Sequence, residues 1–374
     1  MPWKACRAHQ VSKHDVFGIL KKVGRDCAGA LVLTEEGPAP DTLDKPDQAY
    51  QPISAPELNQ LIVDARAEEV PLMFWKGKRR MSLAGVQNKL GVYLTLDEGF
   101  ELPIDAAPTS HILKVGDAKH EDMAANEYFC MQLARAVGLD VPETLFKKLP
   151  EPVLLVQRYD RLWDVPVSGG LRRLHQIDGC QALNLPPEQK YEEPHYEYAP
   201  PGASVADLVK LAQLCLYSRW RTNHPAELGA VQLPHWQQRC ACQKHLVLDQ
   251  STAPDAPGAG TRDGHERGSA VRPGLRGSVR LPRHGTNHWG ESNFAVLDRS
   301  HWAQLAKDCS VPEVLLQRLA AGLLKRMMAA LPKVAASVAE ATGAGLVQRI
   351  HALVAAHCDR LQLNLAAKGG RPAD

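Results

Sequence analysis

The alternation of apolar and polar residues predicts strands and one helix in the first half of the chain. From Lys89 onward, KLGVYLTL alternates as a strand does, and Asp97 to Gly99 supply the residues of a turn. Further strand patterns occur in SHILKV and PVLLVQRYDR. Between them, AANEYFCMQLARAVGLD has a helical period and ends near Gly138, a residue that tolerates the positive φ of a helix C-terminus. The order of hairpin, strand, helix and strand predicts an α+β lobe.

A second periodic region near the end of the chain predicts long helices. Pro312 lies where a first helical turn begins, since its missing N–H costs nothing there, and Ser310 is a candidate cap. Apolar residues three or four apart predict a buried stripe along this helix: Val314, Leu315, Leu319, Leu323, Met327 and Leu331. A last helix is predicted from about Gly345 to Leu365.

The composition changes abruptly between these two regular regions. Residues 217–289 have hardly any apolar period and are dense in Gly, Pro and Arg, which favours an irregular or disordered segment. The first 73 residues mix short apolar runs with the Pro-rich connection GPAPDTLDKPDQAYQP, which is typical of a small or truncated subdomain. The short run before Phe17 indicates that a leading subdomain has been lost.

Composition narrows the class of protein. A chain of 374 residues with 44% hydrophobic residues can bury the cores of two or three domains. Its 44 Lys and Arg nearly balance 42 Asp and Glu, which argues against a protein that blankets nucleic acid with charge and leaves a local basic patch open. The nine cysteines have no regular spacing, and the first segment lacks the apolar core of a signal peptide. Both features predict that the protein resides in the reducing cytoplasm. The sequence contains no run of about eighteen apolar residues, so no membrane-spanning helix is predicted.

Several positions in the first regular region are candidates for chemistry. Ala84 and Gly85 form a small-residue turn whose backbone can approach a phosphate closely, and a plain hairpin turn is the alternative. Lys114 is a lone charge in an apolar strand, so it either points to solvent or pairs with a buried phosphate or carboxylate. Glu127, on the next helix, could supply that carboxylate as a kinase helix glutamate does; the alternative is a solvated helix charge.

Five strings follow one another along the chain: SLAGVQNKLGV, PTSHILKV, NEYFCMQLARAVGLDVP, LLVQRYDR and RLHQIDGCQALNLPPEQKYE. In order and spacing they resemble the HipA family, kinases that act as the toxin of bacterial toxin and antitoxin pairs. His175 and Asp178 lie in the last string without an assigned role. The resemblance covers roughly residues 14–215 and 290–365. It implies an α+β, two-lobed protein-kinase-like fold with a helical C-terminal lobe, the middle of which is replaced here by irregular or disordered chain.

The resemblance also implies roles for individual residues. Lys114 would contact the ATP phosphates and Glu127 would orient it. Ser82 matches the serine at which these kinases phosphorylate themselves, a change that would add negative charge to a phosphate-binding loop and displace it. Gln157 to Tyr159 would form the hinge against adenine, with Gln157 where many members have Glu. The implied ATP-binding residues are Ala84, Gly85, Lys114, Glu127, Gln157 and Tyr159.

The family's catalytic centre is not legible in this reading frame. HipA-type kinases carry a catalytic Asp, a magnesium-binding Asn and a magnesium-binding Asp in motifs close to GNxDxHxKN and YDL, and neither string occurs here. Shifted by one base, the codons of Trp236 to Val247 are compatible with GNSDAHAKNI, and those of AVRPG with PYDL. We therefore hypothesise that residues from about 216 to 289 are an out-of-frame translation, so no catalytic or metal-binding residue is assigned.

A zinc site is the alternative for the same segment. Cys240, Cys242 and His245 are close together, with His224 or His235 as a fourth ligand. The spacing CxCxxH is not one of the common structural zinc patterns, so the frame hypothesis is preferred.

These boundaries predict five segments. They are a remnant of the N-terminal subdomain (1–75), a nucleotide-binding N-lobe (76–170), the start of the C-terminal lobe (171–215), the out-of-frame segment (216–289) and a helical C-terminal lobe (290–374).

Three functions stay open at this point. The first, implied by the resemblance, is an ATP- and Mg²⁺-dependent Ser/Thr protein kinase toxin that is catalytically damaged as written. The second is a noncatalytic pseudokinase remnant that binds nucleotide or an antitoxin, and the third is a non-folding pseudogene product. The resemblance also implies a helix-turn-helix antitoxin as partner, contact with DNA only through that antitoxin, and a translation factor or an aminoacyl-tRNA synthetase as substrate.

Overall fold

The computed structural model describes residues 15–23, 27–33, 50–67, 72, 74–75, 78–79, 88–104, 106–116, 122–164, 170–186, 189, 202–211 and 299–366. The phosphate-loop candidates Ser82, Ala84 and Gly85 lie outside the described residues. So does the whole of segment 216–289, which includes the expected catalytic loop and the ligands of the zinc alternative.

Six strands form the main sheet of the protein. They are β1 (Tyr50–Ile53), β4 (Lys89–Leu94), β5 (Phe100–Pro103), β6 (His111–Val115), β7 (Thr144–Lys148) and β8 (Pro152–Gln157). Their order across the sheet is β1-β5-β4-β6-β8-β7, and all neighbours are antiparallel. The remaining strands form two hairpins, β2 (Phe74–Trp75) with β3 (Lys78–Arg79) and β9 (Arg161–Asp164) with β10 (Gly170–Arg173). Strand β6 is therefore central, with β4 on one side and β8 on the other.

The helices, numbered in chain order, alternate with groups of strands in the first half of the chain. They are α1 (Val16–Val23), α2 (Ala55–Ala67), α3 (Met123–Ala136), α4 (Gly179–Ala182), α5 (Arg299–Asp308), α6 (Glu313–Thr342) and α7 (Ala344–Ala366). Among the helices within the described ranges, none is both long and apolar enough to cross a bilayer.

The two faces of the sheet pack against different helices. One buried core joins the central strands to α2, and its members include Leu58, Ile62, Leu90, Val92, Leu113 and Leu155. Because successive strand residues point to opposite faces, Leu154 and Val156 of β8 face the other way and pack against Ala124 of α3. Lys114 is the register partner of Leu154, so it lies on the α3 face of the sheet.

Helix α3 also packs against the C-terminal helices. Its apolar residues share a buried cluster with α6 and α7: Phe129, Leu133, Val137, Leu331, Val334, Val338, Val347 and Ile350. Arg326 of α6 adds a hydrogen bond from its Nε to the carbonyl oxygen of Val137, at 2.9 Å. The helix that carries Glu127 is thus held from both sides, by the sheet and by the C-terminal pair.

The α+β class is confirmed, and so is the order of hairpin, strand, helix and strand. The helix predicted in AANEYFCMQLARAVGLD spans Met123–Ala136, and Gly138 follows it with φ +84°. The C-terminal helices also form, with α7 within one residue of its predicted bounds. The five domain boundaries stay predictions.

The predicted stripe and cap of α6 are wrong at its N-terminal end. Val314, Leu315 and Leu319 are exposed, whereas the buried residues of this helix are Leu324, Leu331, Val334 and Val338. Helical period identifies an apolar face, but it does not show how far a partner extends along that face. Ser310 does not cap the helix, because the N-cap position is Pro312 and Ser310 itself has φ +54°.

Candidate functional site

A buried ion pair joins the central strand to α3. The ammonium Nζ of Lys114, on β6, donates to Oε1 of Glu127, on the second turn of α3. Their side chains are 18% and 12% exposed. An ammonium this deep in the protein needs a charged or polar partner, and the packing of α3 on β8 places Glu127 within reach. Of the two alternatives for Lys114, the structure therefore has the paired one.

A second lysine lies beside this pair. Lys89 of β4 is the register partner of Lys114, and it is only 7% exposed. Residues directly opposite on antiparallel strands have Cβ atoms about 4.5–5.5 Å apart and point to the same face. Two ammonium groups on this part of the α3 face suit an anionic ligand. Sequence reasoning missed Lys89 although it stands in SLAGVQNKLGV, because its charge fills a polar position of the alternating pattern, whereas β4 is buried on both faces.

The hinge candidates lie at the other end of the same strands. Gln157 ends β8 and is the register partner of His111, which stands three residues before Lys114 on β6. At about 3.4 Å per residue, this end is roughly 10 Å from Lys114 along the strand. The hydroxyl of Tyr159 donates to Oε1 of Gln176. The structure thus brings Lys114 and Glu127 together, and it places Gln157 and Tyr159 at the neighbouring strand end.

Buried charges lie immediately behind the hinge candidates. The guanidinium of Arg158 bonds Asp160 through Nε (3.0 Å) and Nη2 (2.7 Å), and Nη1 of Arg161 lies 3.0 Å from the same carboxylate. The backbone N–H of Gly29 donates to Oδ2 of Asp160 at 2.8 Å. Burial by itself raises the pKa of Asp160, but these hydrogen bonds and positive charges outweigh it and bring the pKa to about 2. Asp160 is therefore ionised at any physiological pH.

Two titratable side chains close to the site are held neutral. Burial lowers the pKa of His111 to about 4, and its Nδ1 lies 2.9 Å from the hydroxyl of Ser110. Burial, and then the charge of Glu127, raise the pKa of the Cys130 thiol to about 12. A neutral imidazole with so low a pKa is a poor base, and a neutral thiol is a poor nucleophile. The described part of the site is suited to binding rather than to proton transfer.

Asp178 has a local structural role. Its carboxylate accepts from the N–H of Gln181 at 2.9 Å, and Oε1 of Gln181 accepts from the N–H of Asp178 at 2.8 Å. This reciprocal pair is a capping box at the start of α4. His175 is exposed and precedes the same helix. Over the ranges that the structure describes, no group of three or more His, Cys, Asp or Glu could hold a metal ion.

Comparison with known sequences places part of the chain in a family. Residues 81–227 match the model described as the HipA-like C-terminal domain. Y4mE, a Sinorhizobium fredii protein that carries a kinase name, is 40% identical over 183 residues, which are 48% of this chain and 42% of that protein. The Shewanella oneidensis protein named serine/threonine-protein kinase toxin HipA is 32% identical over 183 residues, 49% of this chain and 40% of its own length. The matches span less than half of each relative.

Comparison of folds agrees with the sequence match. The solved structure of the toxin–antitoxin complex of Shewanella oneidensis HipA, HipB and operator DNA contains a chain that aligns with a TM-score of 0.63 and 20% identity. The alignment covers 98% of this chain and 84% of that one. At this identity the likeness shows the fold alone. The sequence match therefore identifies residues 81–227 as a HipA-like C-terminal domain, and the fold of the chain is similar to that of a HipA chain.

Proposed function

We propose that this chain is by descent an ATP-dependent Ser/Thr protein kinase toxin of the HipA type, and that it binds ATP but is catalytically damaged as written. The observation that carries the proposal is the buried Lys114–Glu127 pair with Lys89 directly opposite Lys114. In kinases, a strand lysine paired with a helix glutamate holds the nucleotide phosphates. Kinase names among the relatives support the same class of activity.

The roles of the site residues follow from this proposal. Lys114 bonds the phosphates, Glu127 keeps its ammonium in place, and Lys89 adds a second positive charge on the same face. Gln157 and Tyr159 receive the adenine at the strand end. Ala84, Gly85 and the phosphate acceptor Ser82 complete the loop over the phosphates, as expected from the family resemblance.

Magnesium requires donors that the described residues do not supply. Glu127 is the carboxylate nearest Lys114 among the contacts described, and it is engaged by that ammonium. When bound, Mg²⁺ would neutralise phosphate charge, and in kinases an Asp and an Asn hold it. We place those donors, and the catalytic Asp, in the shifted frame of segment 216–289. Without them, proton acceptance and charge neutralisation are both lost, and either loss costs orders of magnitude in turnover.

The partners are proposed from the family. The HipA chain with a similar fold was solved together with HipB and operator DNA. We therefore propose a helix-turn-helix antitoxin as partner, with DNA contacted only through it. By the same analogy, the protein substrate of an intact version is a translation factor or an aminoacyl-tRNA synthetase.

Nucleotide titration of the purified full-length chain tests the proposal. We expect ATP to bind by calorimetry, and Lys114→Ala to weaken binding by about tenfold or more, equivalent to about 1.4 kcal/mol. Lys148→Ala is the matched control, because Lys148 is an exposed lysine on the edge strand β7. Equal ATP affinity for Lys114→Ala and the parent chain would remove the proposed site.

The nucleotide sequence across codons 210 to 295 tests the frame hypothesis separately. We expect a shifted frame that spells the catalytic and magnesium-binding motifs, bounded by a compensating pair of insertions or deletions. A single uninterrupted frame without such a pair contradicts the hypothesis, and it leaves the ATP site untouched.

A further inference from the structure

We propose that Asp160 is a positioning residue for nucleotide binding: it locks Arg158, and with it the hinge from Gln157 to Tyr159, onto the backbone of residues 27–29. This inference rests on the proposed ATP site and adds to it a part of the chain more than a hundred residues away. The argument starts from Arg158, which stands between the two hinge candidates.

Each nitrogen of the Arg158 guanidinium donates a hydrogen bond. Two of its nitrogens bond the two oxygens of Asp160, and Nη1 donates to Oγ1 of Thr109 at 2.8 Å. Nη2 also donates to the carbonyl oxygen of Cys27 at 3.1 Å. The side chains of Arg158 and Asp160 are 1% and 5% exposed. A bidentate pair in such a dry environment allows one geometry, because any rotation breaks hydrogen bonds that water cannot replace.

The same carboxylate anchors the distant segment. Gly29 donates its N–H to Asp160 and accepts from Nη1 of Arg161 at 3.0 Å. Gly29 has φ +82°, and a Cβ at this position would lie 3.1 Å from the backbone nitrogen of Gln176. Only glycine accepts this conformation and this approach without strain. Gln176 in turn accepts the hydroxyl of Tyr159, so the segment reaches the hinge through two routes.

The backbone on each side of Arg158 is held as well. The N–H of Arg158 donates to the carbonyl oxygen of Ser110 at 2.9 Å, which extends the link between β8 and β6. The N–H of Leu174 donates to the carbonyl oxygen of Asp160, also at 2.9 Å. The hinge is therefore bounded by fixed residues on both sides, and Asp160 contributes the carboxylate that balances the two buried guanidiniums.

Removal of this charge should affect the adenine end of the site and spare the phosphate end. Without the carboxylate, the buried guanidiniums of Arg158 and Arg161 lose the negative charge and the hydrogen bonds that Asp160 supplies, so the hinge backbone must move to accommodate them. Lys89, Lys114 and Glu127 lie on β4, β6 and α3, which are held by cores that do not include the Arg and Asp side chains. A residue that served general stability alone would weaken all ligands together.

Competition binding of the full-length chain separates these possibilities. A fluorescent ATP analogue is displaced by ATP, by adenosine and by tripolyphosphate, for the parent and for Asp160→Asn, Lys114→Ala and the control Asp64→Asn. Asp64 is an exposed carboxylate on α2. We expect Asp160→Asn to weaken ATP and adenosine by about tenfold and tripolyphosphate by less than about twofold. Lys114→Ala should instead weaken tripolyphosphate binding by about tenfold and adenosine binding by less than about twofold.

Gly29→Ala tests the same link from its other end and guards against misfolding of the Asp160 variant. Like Asp160→Asn, it should weaken the binding of ATP and adenosine more than that of tripolyphosphate, but by a smaller factor. The variant should still show a thermal unfolding transition. Equal weakening of adenosine and tripolyphosphate in both variants, or unchanged adenosine affinity, overturns the inference while the ATP site stands. Failure of the parent to bind ATP, or of Lys114→Ala to weaken it, overturns the proposed function instead.

Discussion

Lys89 lies directly opposite Lys114 on the neighbouring antiparallel strand, and both ammonium groups are largely withdrawn from solvent. Like charges in this arrangement repel, so the pair is unfavourable unless negative charge compensates it. Glu127 supplies one such charge, and an anionic ligand would supply more.

Substitution of Lys89 should weaken ATP binding. We expect Lys89→Met to lower ATP affinity by about tenfold, since one ammonium to phosphate contact is lost. Calorimetry measures the affinity. An unchanged affinity would show that Lys89 does not face the bound nucleotide.

Neutralising Glu127 should lower the stability of the protein. Glu127→Gln leaves the Lys114 ammonium buried without its carboxylate, and we expect a loss of about 2–3 kcal/mol in unfolding free energy. Glu143→Gln is the matched control, because Glu143 pairs with Arg135 at the exposed surface and should change stability by less than about 1 kcal/mol. ATP should stabilise the Glu127 variant less than the control, because Glu127 keeps the Lys114 ammonium in place for the phosphates and its loss weakens ATP binding. Equal losses in the two variants would contradict the buried pair.

Acid should destabilise the sheet through His111. Its pKa is about 4 in the folded protein and 6.5 for an unperturbed imidazole, so the unfolded state binds more protons between these values. The unfolding free energy should therefore fall as pH drops from about 6.5 to 4, by up to about 3 kcal/mol from this residue. His111→Gln should remove most of that slope in denaturation curves taken across the range. Identical slopes would show that His111 is accessible to protons in the folded state.

Helix α6 carries one buried and one exposed leucine, and substitution of each tests the burial that the structure assigns to this helix. Leu331 is 2% exposed and Leu319 is 61% exposed on the same helix. We expect Leu331→Ala to cost about 2–5 kcal/mol through lost burial and a cavity, and Leu319→Ala less than about 1 kcal/mol. Thermal or urea unfolding distinguishes them. Comparable losses at both positions would mean that the start of α6 is covered in solution.

The sequence allowed helices and strands to be predicted more accurately than the tertiary contacts between them. Strand β6 and helix α3 followed from local period, because each buries one face or one stripe, and β8 followed from a short continuous apolar run, because it is buried on both faces. The exposed start of α6 did not, since apolar period does not reveal whether a partner reaches it. The hydrogen bond from Gly29 to Asp160 spans 131 positions along the chain, and no local pattern encodes such a distance.

The candidate site divides in the same way. Lys114 was singled out because a lone charge interrupts an apolar strand, and Glu127 on the next helix was suggested as its partner by analogy with the lysine and helix glutamate of kinases. Lys89 was missed because it fills a polar position of the alternating pattern, which indicates a solvent-facing residue, whereas both faces of its strand are buried. The roles of Lys114, Glu127, Gln157 and Tyr159 toward ATP stay predictions until ligand binding is measured.

Phosphate transfer from radiolabelled ATP tests the central claim most directly. The chain as written is compared with a version whose codons for residues 216–289 are restored to the shifted frame. The account predicts label on the restored chain at Ser82, lost in Ser82→Ala, and none on the chain as written although it binds ATP. Label incorporated by the chain as written would contradict the account, because it would place working catalytic residues in the present frame.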